Sequence, residues 1–295
     1  MSADQFVELT VSGLAMGAVY GLIGLGFSMI IKATDIFHFA QGEVMMLGAM
    51  GGLMVAAALP MLPFVAVLLI GVVSGGAASV LIELVVYRTL RLRRVPLMNI
   101  IIATIGMSIL LQNGSMLIWG SDAIAYPKLF EATTYRLGPV HVSPQLLWIV
   151  VLGIALMLLL QAMLKFTRTG IALQAAAQDP ETAQLMGINL TRSTALTFAL
   201  AGAMAGGAGV LLGSMFFASF NMGFLPGIKA FVAATLGGLG SIGGAMLGGL
   251  IFGLIEVYSG RWISSGYRDA VGMVLLILIL LVLPNGLVGL LKGRR

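Results

Sequence analysis

The sequence predicts an all-α polytopic membrane protein with about eight or nine transmembrane segments, a Gly-rich hairpin among them, oriented N-out and C-in. Three observations carry this. Hydrophobic residues make up 59% of the 295 residues and charged residues 9%, whereas a soluble domain carries about 25% charged residues. Mean hydropathy is +1.07. Glycine occurs 40 times, well above the usual share of about 7%, and small residues let membrane helices approach closely. The same composition excludes disorder, which needs low hydrophobicity and high net charge.

Chemistry is narrowed as well. With no Cys and only two His, thiolate catalysis, disulfides and Cys- or His-rich metal sites are not expected, and no cofactor is implied. The net charge of +5 reads as an excess of Lys and Arg on cytoplasmic loops, not as nucleic-acid binding. The first 31 residues hold Asp4 and Glu8 but no Lys or Arg, so a cleavable signal peptide is not expected.

About 20 apolar residues cross a bilayer core. The first candidate span, 6–31, carries Gly13, Gly17 and Gly21 on one helical face. The second, 36–59, opens with His38, Gln41 and Glu43 and continues through Gly48 and Gly52. The third, 62–86, ends near Glu83, which is expected to reach the interface. The fourth, 96–119, has a polar stripe of Thr104, Ser108, Gln112 and Asn113. Spans at 146–166 and 193–217 follow, the latter with Gly202 and Gly206. The stretch 226–258 is too long for one span and short for two. Its centre, Gly237, Gly238, Gly240, Gly243 and Gly244, breaks it into a helical hairpin, either two short spans or a re-entrant loop. Lys229 is expected to snorkel at the opening of that hairpin. A last span covers 270–291.

With the amino terminus outside, 11 of the 16 basic residues fall inside: Lys32, Arg88, Arg91, Arg93, Arg94, Lys165, Arg168, Arg192, Lys292, Arg294 and Arg295. Lys128, Arg136, Lys229, Arg261 and Arg268 fall outside. That asymmetry sets the orientation. The longest non-spanning segments are an outside (periplasmic) loop, 120–145, and an inside segment, 167–192. Neither can bury a core of its own, so 1–295 reads as a single transmembrane domain, and energy must come from a gradient or a partner.

Gly238-Leu-Gly240-Ser-Ile-Gly243 fits G-x-G-x-x-G, but it lies between apolar arms with no strand before it, so hairpin packing explains it better than a dinucleotide. There is no Walker A motif. Polar groups at membrane depth need partners or water, so His38, Gln41, Glu43, Thr104, Gln112 and Asn113 are candidates to line a pathway or to brace helices. In 167–192, Asp179 suits an N-cap, Pro180 the first helical position, Glu181 the positive end of the dipole, and Gly187 a left-handed C′ residue. The result is a two-turn helix that is marginal alone, with Leu185 and Met186 as apolar knobs for whatever docks on it. An interfacial helix on lipid headgroups is the competing reading.

These residues resemble a known family. TGIALQAAAQDPETAQLMGIN (169–189) and LTFALAGAMAGGAGVL (196–211) are similar to the coupling segment and following span of branched-chain amino acid ABC importer permeases. FHFAQGEVMMLGAM (37–50), IIATIGMSILLQNGSMLIWG (101–120), KAFVAATLGGLGSIGGAMLGGLIFGLIE (229–256) and YRDAVGMVLLILILLVLPNGLVG (267–289) extend the resemblance over nearly the whole chain. Order and loop lengths fit the shorter, LivH type rather than the longer LivM type. Two residues depart from the family pattern: His38 where Asn is usual, and Gln174 where Arg is usual.

The resemblance implies one transmembrane half of an importer in a bacterial inner membrane. Its partners would be a second, LivM-type permease, two cytoplasmic ATP-binding subunits, an extracytoplasmic solute-binding protein and membrane lipid. Hydrolysis would occur on the partners, so this chain would not itself be an enzyme. Gln174, Asp179, Glu181, Leu185, Met186, Gly187 and Asn189 would form the ATPase-coupling segment. An ion-gradient-driven carrier is the alternative, favoured by the Gly-broken hairpin and disfavoured by the scarcity of membrane carboxylates and by the docking helix. A passive channel is a third possibility.

The orientation is directly testable. A reporter active only in the cytoplasm should work when fused after Arg94 or Arg295 and be silent in 121–145.

Overall fold

The computed structural model describes residues 3–127, 135–137, 140–262, 265–282 and 286–292. Lys128, Pro284, Arg294 and Arg295 lie outside the described residues. Within them the chain is nearly all helical. The helices are α1 (Ala3–Thr34), α2 (Gln41–Ala58), α3 (Phe64–Ile82), α4 (Arg88–Leu92), α5 (Leu97–Trp119), α6 (Pro144–Phe166) and α7 (Arg168–Gln178). There follow α8 (Pro180–Leu185), α9 (Leu190–Met215), α10 (Phe224–Gly237), α11 (Ile242–Trp262), α12 (Arg268–Val282) and α13 (Gly286–Lys292). A π-helical turn, Glu83–Tyr87, joins α3 to α4. The loop after α5 also holds a small antiparallel ribbon, β1 (Tyr135–Leu137) with β2 (Val140–Val142), which hydropathy gave no sign of. Among the described residues, eight stretches are long and apolar enough to cross a membrane.

The centre is α1. Its apolar window is 89% buried, against 17% for α5. It packs along α11, α9, α10 and α6. The approach is close because side chains are missing on both sides: a Cβ on Gly253 would strike the backbone of Gly13 and Gly17, and one on Gly249 that of Gly17 and Gly21. A second seam joins α2, α3 and α9. Gly206 of α9 lies against Gly48 of α2 on one side and Gly71 and Gly75 of α3 on the other. Lipid tails are as apolar as leucine, so helices associate through close van der Waals contact, and Cβ-less positions supply it. The recurrent small-residue spacing is thus packing within one chain.

The second span departs from expectation. Residues 35–40 are not helical, and α2 starts only at Gln41. Asp35 adopts a left-handed conformation, φ 55°, which aspartate tolerates better than most residues. The Gln41 side chain donates to the carbonyl of Ala201 at 3.0 Å. Ala201 is eleven residues into α9, roughly 16 Å from its start at 1.5 Å per residue, so α2 begins at membrane depth.

The hairpin is unequal. Its second arm, α11, has 21 residues and can span; its first, α10, has 14 and starts at Phe224. Residues 216–223 run without regular helix from the end of α9 to that start. Gly223 and Gly227 lie against Gly42, so the starts of α2 and α10 face each other inside the bundle. Non-helical backbone at this depth survives only when buried in protein or lining a cavity.

Three further expectations are corrected. Glu83 is fully buried and does not reach the interface; the π turn brings the Arg91 guanidinium to its carboxylate. Lys229 does not snorkel: it is buried, with Nζ 2.7 Å from Glu256 Oε1 and 2.6 Å from Asp269 Oδ1, which ties α10 to α11 and α12. Gly237 and Gly244 do meet across the hairpin, and Gly238 (φ 104°) and Gly240 (φ 80°) make its turn, but Gly243 has open space where a Cβ would lie.

Gly206→Val should therefore separate α9 from both neighbours and cost at least the ~1–3 kcal/mol typical of overpacking. Gly243→Ala should stay within about 0.5 kcal/mol of the parent. Thermal unfolding in detergent compares them.

Candidate functional site

Two regions hold the expected functional residues. The first is the segment between α6 and α9. Thr167 caps α7 by accepting from the Gly170 amide at 3.0 Å. Leu173 and Ala176 turn into the bundle, and the Gln174 amide donates to the Leu164 carbonyl at 2.6 Å, so α7 is fastened to the end of α6. Sequence reasoning missed α7; its signal was Thr167, directly after a span and three residues before Gly170.

Asp179 breaks α7 and caps α8. Its Oδ1 accepts from the Thr182 amide at 3.0 Å and its Oδ2 from the Thr182 hydroxyl at 2.5 Å. These bonds hold the Asp179 carboxyl below its ordinary pKa of 3.8. At the other end the Gly187 amide donates to Gln184 and the Ile188 amide to Ala183, each at 3.0 Å, with Gly187 at φ 86°. That is a Schellman stop, and it uses glycine for the left-handed residue. Asn189 then caps α9 through the Arg192 amide at 3.0 Å. Between these fixed ends Leu185 is 87% and Met186 80% exposed, and Glu181 is exposed beside them. Two large apolar side chains project from a short, doubly capped helix.

This segment stands at the basic end of the bundle. A cavity of about 420 Å³ is bordered by Asp35, Arg88 and Arg91 on one side and by Leu173, Pro180 and Thr191 on the other. Lys32 lies against the turn of the hairpin at Gly240.

The second region is the inner face of α2, α5 and α10. A cavity of about 530 Å³ is walled by Phe27, Phe39, Ile105, Ile228, Phe231 and Leu276, with Ser108 and Gln112 as its polar side chains. Glu43 stands behind this wall. It is 1% exposed, and its Oε1 accepts from the Ser108 hydroxyl at 3.0 Å.

The six polar candidates do not all converge. Only Gln112 lines the cavity, and Glu43 touches it through Ser108. His38 is buried in the unwound stretch, Nδ1 2.8 Å from the Tyr87 hydroxyl and edge-on to Tyr87 and Phe198. Gln41 is bound to α9. Thr104 bonds back to Ile101, and Asn113, exposed, to Ile109. Phe39, Phe231 and Gly223 were missed because their apolar neighbours make them look like core. Among the described residues no cluster of three or more His, Asp or Glu is placed to hold a metal ion.

Comparison with known proteins is decisive about kinship. Residues 9–283 match the family described as branched-chain amino acid transport system / permease component. The chain belongs to this family. The permease is 40% identical to the high-affinity branched-chain amino acid transport system permease protein LivH of Escherichia coli K12, over 96% of each chain. It is 38% identical to BraD of Pseudomonas aeruginosa, over 97% of this chain and 96% of that one. A probable LivH of Methanocaldococcus jannaschii is 28% identical over 91% and 88%. No solved structure matches significantly. The permease is a multi-pass membrane transport component of the LivH type.

The cap of α8 has a definite pH signature. Because the folded Asp179 is more acidic than the unfolded, its contribution is present above the ordinary value of 3.8 and is lost as pH falls through the folded one. Hydrogen-exchange protection at the Thr182 amide should hold between pH 8 and 5 and fall only below about pH 4. Asp179→Ala should lose it throughout, and Asp179→Asn should keep it without the acid transition.

Proposed function

We propose that the permease is the transmembrane subunit of an ATP-driven importer for branched-chain amino acids, forming half of a pathway with a second permease. Two cytoplasmic ATP-binding subunits would hydrolyse ATP, and an extracytoplasmic binding protein would deliver the solute. The bacterial inner membrane is its location in this reading, with the amino terminus outside and α7–α8 in the cytoplasm. The kinship to LivH and BraD over almost the full chain supports the transport class.

One structural observation carries the coupling role: Leu185 and Met186 stand exposed on a six-residue helix fixed at both ends. So short a helix does not hold alone in water. Here Asp179, the Gly187 stop and α7 hold it, so it can transmit a push to α6 and α9. Burying the two knobs in a groove of an ATP-binding subunit would contribute on the order of 1.5–3 kcal/mol each if fully covered. Glu181 would offer its charge to a basic rim. Gln174 and Asn189 serve this segment from within, one fastening α7 and the other starting α9.

The pathway would run along the face of α5. That helix is the least buried span, and Ser108 and Gln112 turn to the cavity. A second permease would cover the remaining apolar surface.

Leu185→Asp should release the ATP-binding subunits during purification and abolish uptake, while leaving membrane insertion intact. Retained assembly with full uptake would remove the coupling role from α8. Gly187→Val should act the same way, because a β-branched residue is strained at positive φ.

A further inference from the structure

We infer that Glu43 and the cavity beside it form a subsite for an aliphatic amino acid in transit, with the Glu43 carboxylate receiving the α-ammonium and the cavity wall receiving the side chain. This rests on the importer reading and names where within this subunit the solute is held.

The first observation is the state of the carboxylate. Glu43 is 1% exposed, and only Oε1 has a hydrogen-bond partner, the Ser108 hydroxyl. Oε2 is buried without one. The ion pairs among the described residues are Arg91 with Glu83, and Lys229 with Glu256 and Asp269; none involves Glu43. Burying a carboxylate this way is costly unless something pairs with it. An ammonium brings three N–H donors and a positive charge, which is what Oε2 lacks.

The second observation is the route to that oxygen. Oε2 lies against Gly223, and a Cβ there would strike it. Gly223, Gly42 and Ser108 all border the 530 Å³ cavity. Glu43 itself does not border the cavity; the facing Gly42 and Gly223, where a Cβ on either would strike the other, stand between them and would have to part for an ammonium to reach Oε2. The facing starts of α2 and α10 form this part of the cavity wall.

The third observation is the rest of the lining. Phe27, Phe39, Ile105, Ile228, Phe231 and Leu276 offer no charge and no strong donor. Such a wall accepts a branched aliphatic group and penalises a charged side chain, while one buried carboxylate fixes orientation. A mostly apolar pocket with a few placed polar groups is the usual form of a small-molecule site. The subsite is for passage, so binding must be weak enough to release.

The test uses the assembled transporter, and the absence of native Cys. Ile109→Cys puts the one thiol of this chain on the cavity wall, with the partner subunits prepared free of Cys. Its labelling by a water-soluble thiol reagent is timed with leucine, with 4-methylpentanoate (the same skeleton without the amine), and with neither. Leucine should slow labelling at least five-fold and 4-methylpentanoate less than two-fold. Adding Glu43→Gln should remove the protection by leucine, and Glu43→Asp, which keeps the charge, should restore part of it.

Equal protection by both compounds, or leucine protection that survives Glu43→Gln, would overturn the ammonium role. No protection by leucine would overturn the subsite. The comparison of the two compounds needs only Ile109→Cys, so it stands even if Glu43→Gln fails to assemble. ATP-dependent uptake by the parent complex is scored separately, so failure of the importer reading is distinguishable from failure of the subsite.

Discussion

Close approach of backbones at Cβ-less positions is the constraint on which this bundle depends, because inside a membrane there is no hydrophobic gain from bringing two apolar helices together. What remains is contact, and contact improves as axes approach. Glycines Gly13, Gly17 and Gly21 on α1 meet Gly249 and Gly253 on α11, and Gly206 on α9 sits between Gly48 and Gly75. These two seams place α1 and α9 at the centre and leave α5, α6 and α12 largely uncovered. The covered helices form the packed interior, and the uncovered ones present apolar side chains at the surface of the chain.

That packing permits irregular features elsewhere. Residues 35–40 and 216–223 run unwound at depth among packed helices, and His38 is held there through Nδ1 by the Tyr87 hydroxyl. Lys229 is held by two carboxylates, so the short α10 is anchored although it cannot span. The two interrupted helices meet at Gly42 and Gly223 and form the wall of the cavity that the polar side of α5 faces. At the other end, α7 and α8 carry an exposed apolar knob directly onto the starts and ends of central helices. In the proposed importer, motion at Leu185 would reach α9 directly and the start of α2 through the Gln41 bond to Ala201. Such coupling would be reciprocal, so that solute bound in the pathway would bias α8 as much as a partner on α8 biases the pathway.

Some of this was legible in the sequence. The helix α8 was, since Asp179, Pro180 and Gly187 obey local rules that need no tertiary partner. The small-residue spacing on α1, α2 and α9 was, but which helices it joins, and the part of Gly71 and Gly75 on α3, emerge only in the packing. The unwound stretch before α2 was not, because Ile36, Phe37, Phe39 and Ala40 have the hydropathy of a span, and only Asp35 marks the break. Lys229 and Glu83 were misread because their partners are non-local: Glu256 stands on the next helix, and Arg91 is brought round by a π turn that no motif announces. Of the polar pathway candidates, sequence could supply depth but not direction. Helical spacing put Asn113 and Gln112 side by side, and only the packing of α5 against α2 shows that Gln112 turns to the cavity while Asn113 turns away.

In the proposed importer, solute movement through this chain is driven by ATP hydrolysed on partners seated on α8. The most direct measurement is leucine uptake into sealed vesicles holding the two permeases, with binding protein inside the assay and with the ATP-binding subunits present or stripped away. Accumulation is expected only with the ATP-binding subunits and ATP, unaffected by collapsing proton and sodium gradients. Accumulation without those subunits, abolished by collapsing a gradient, would contradict it.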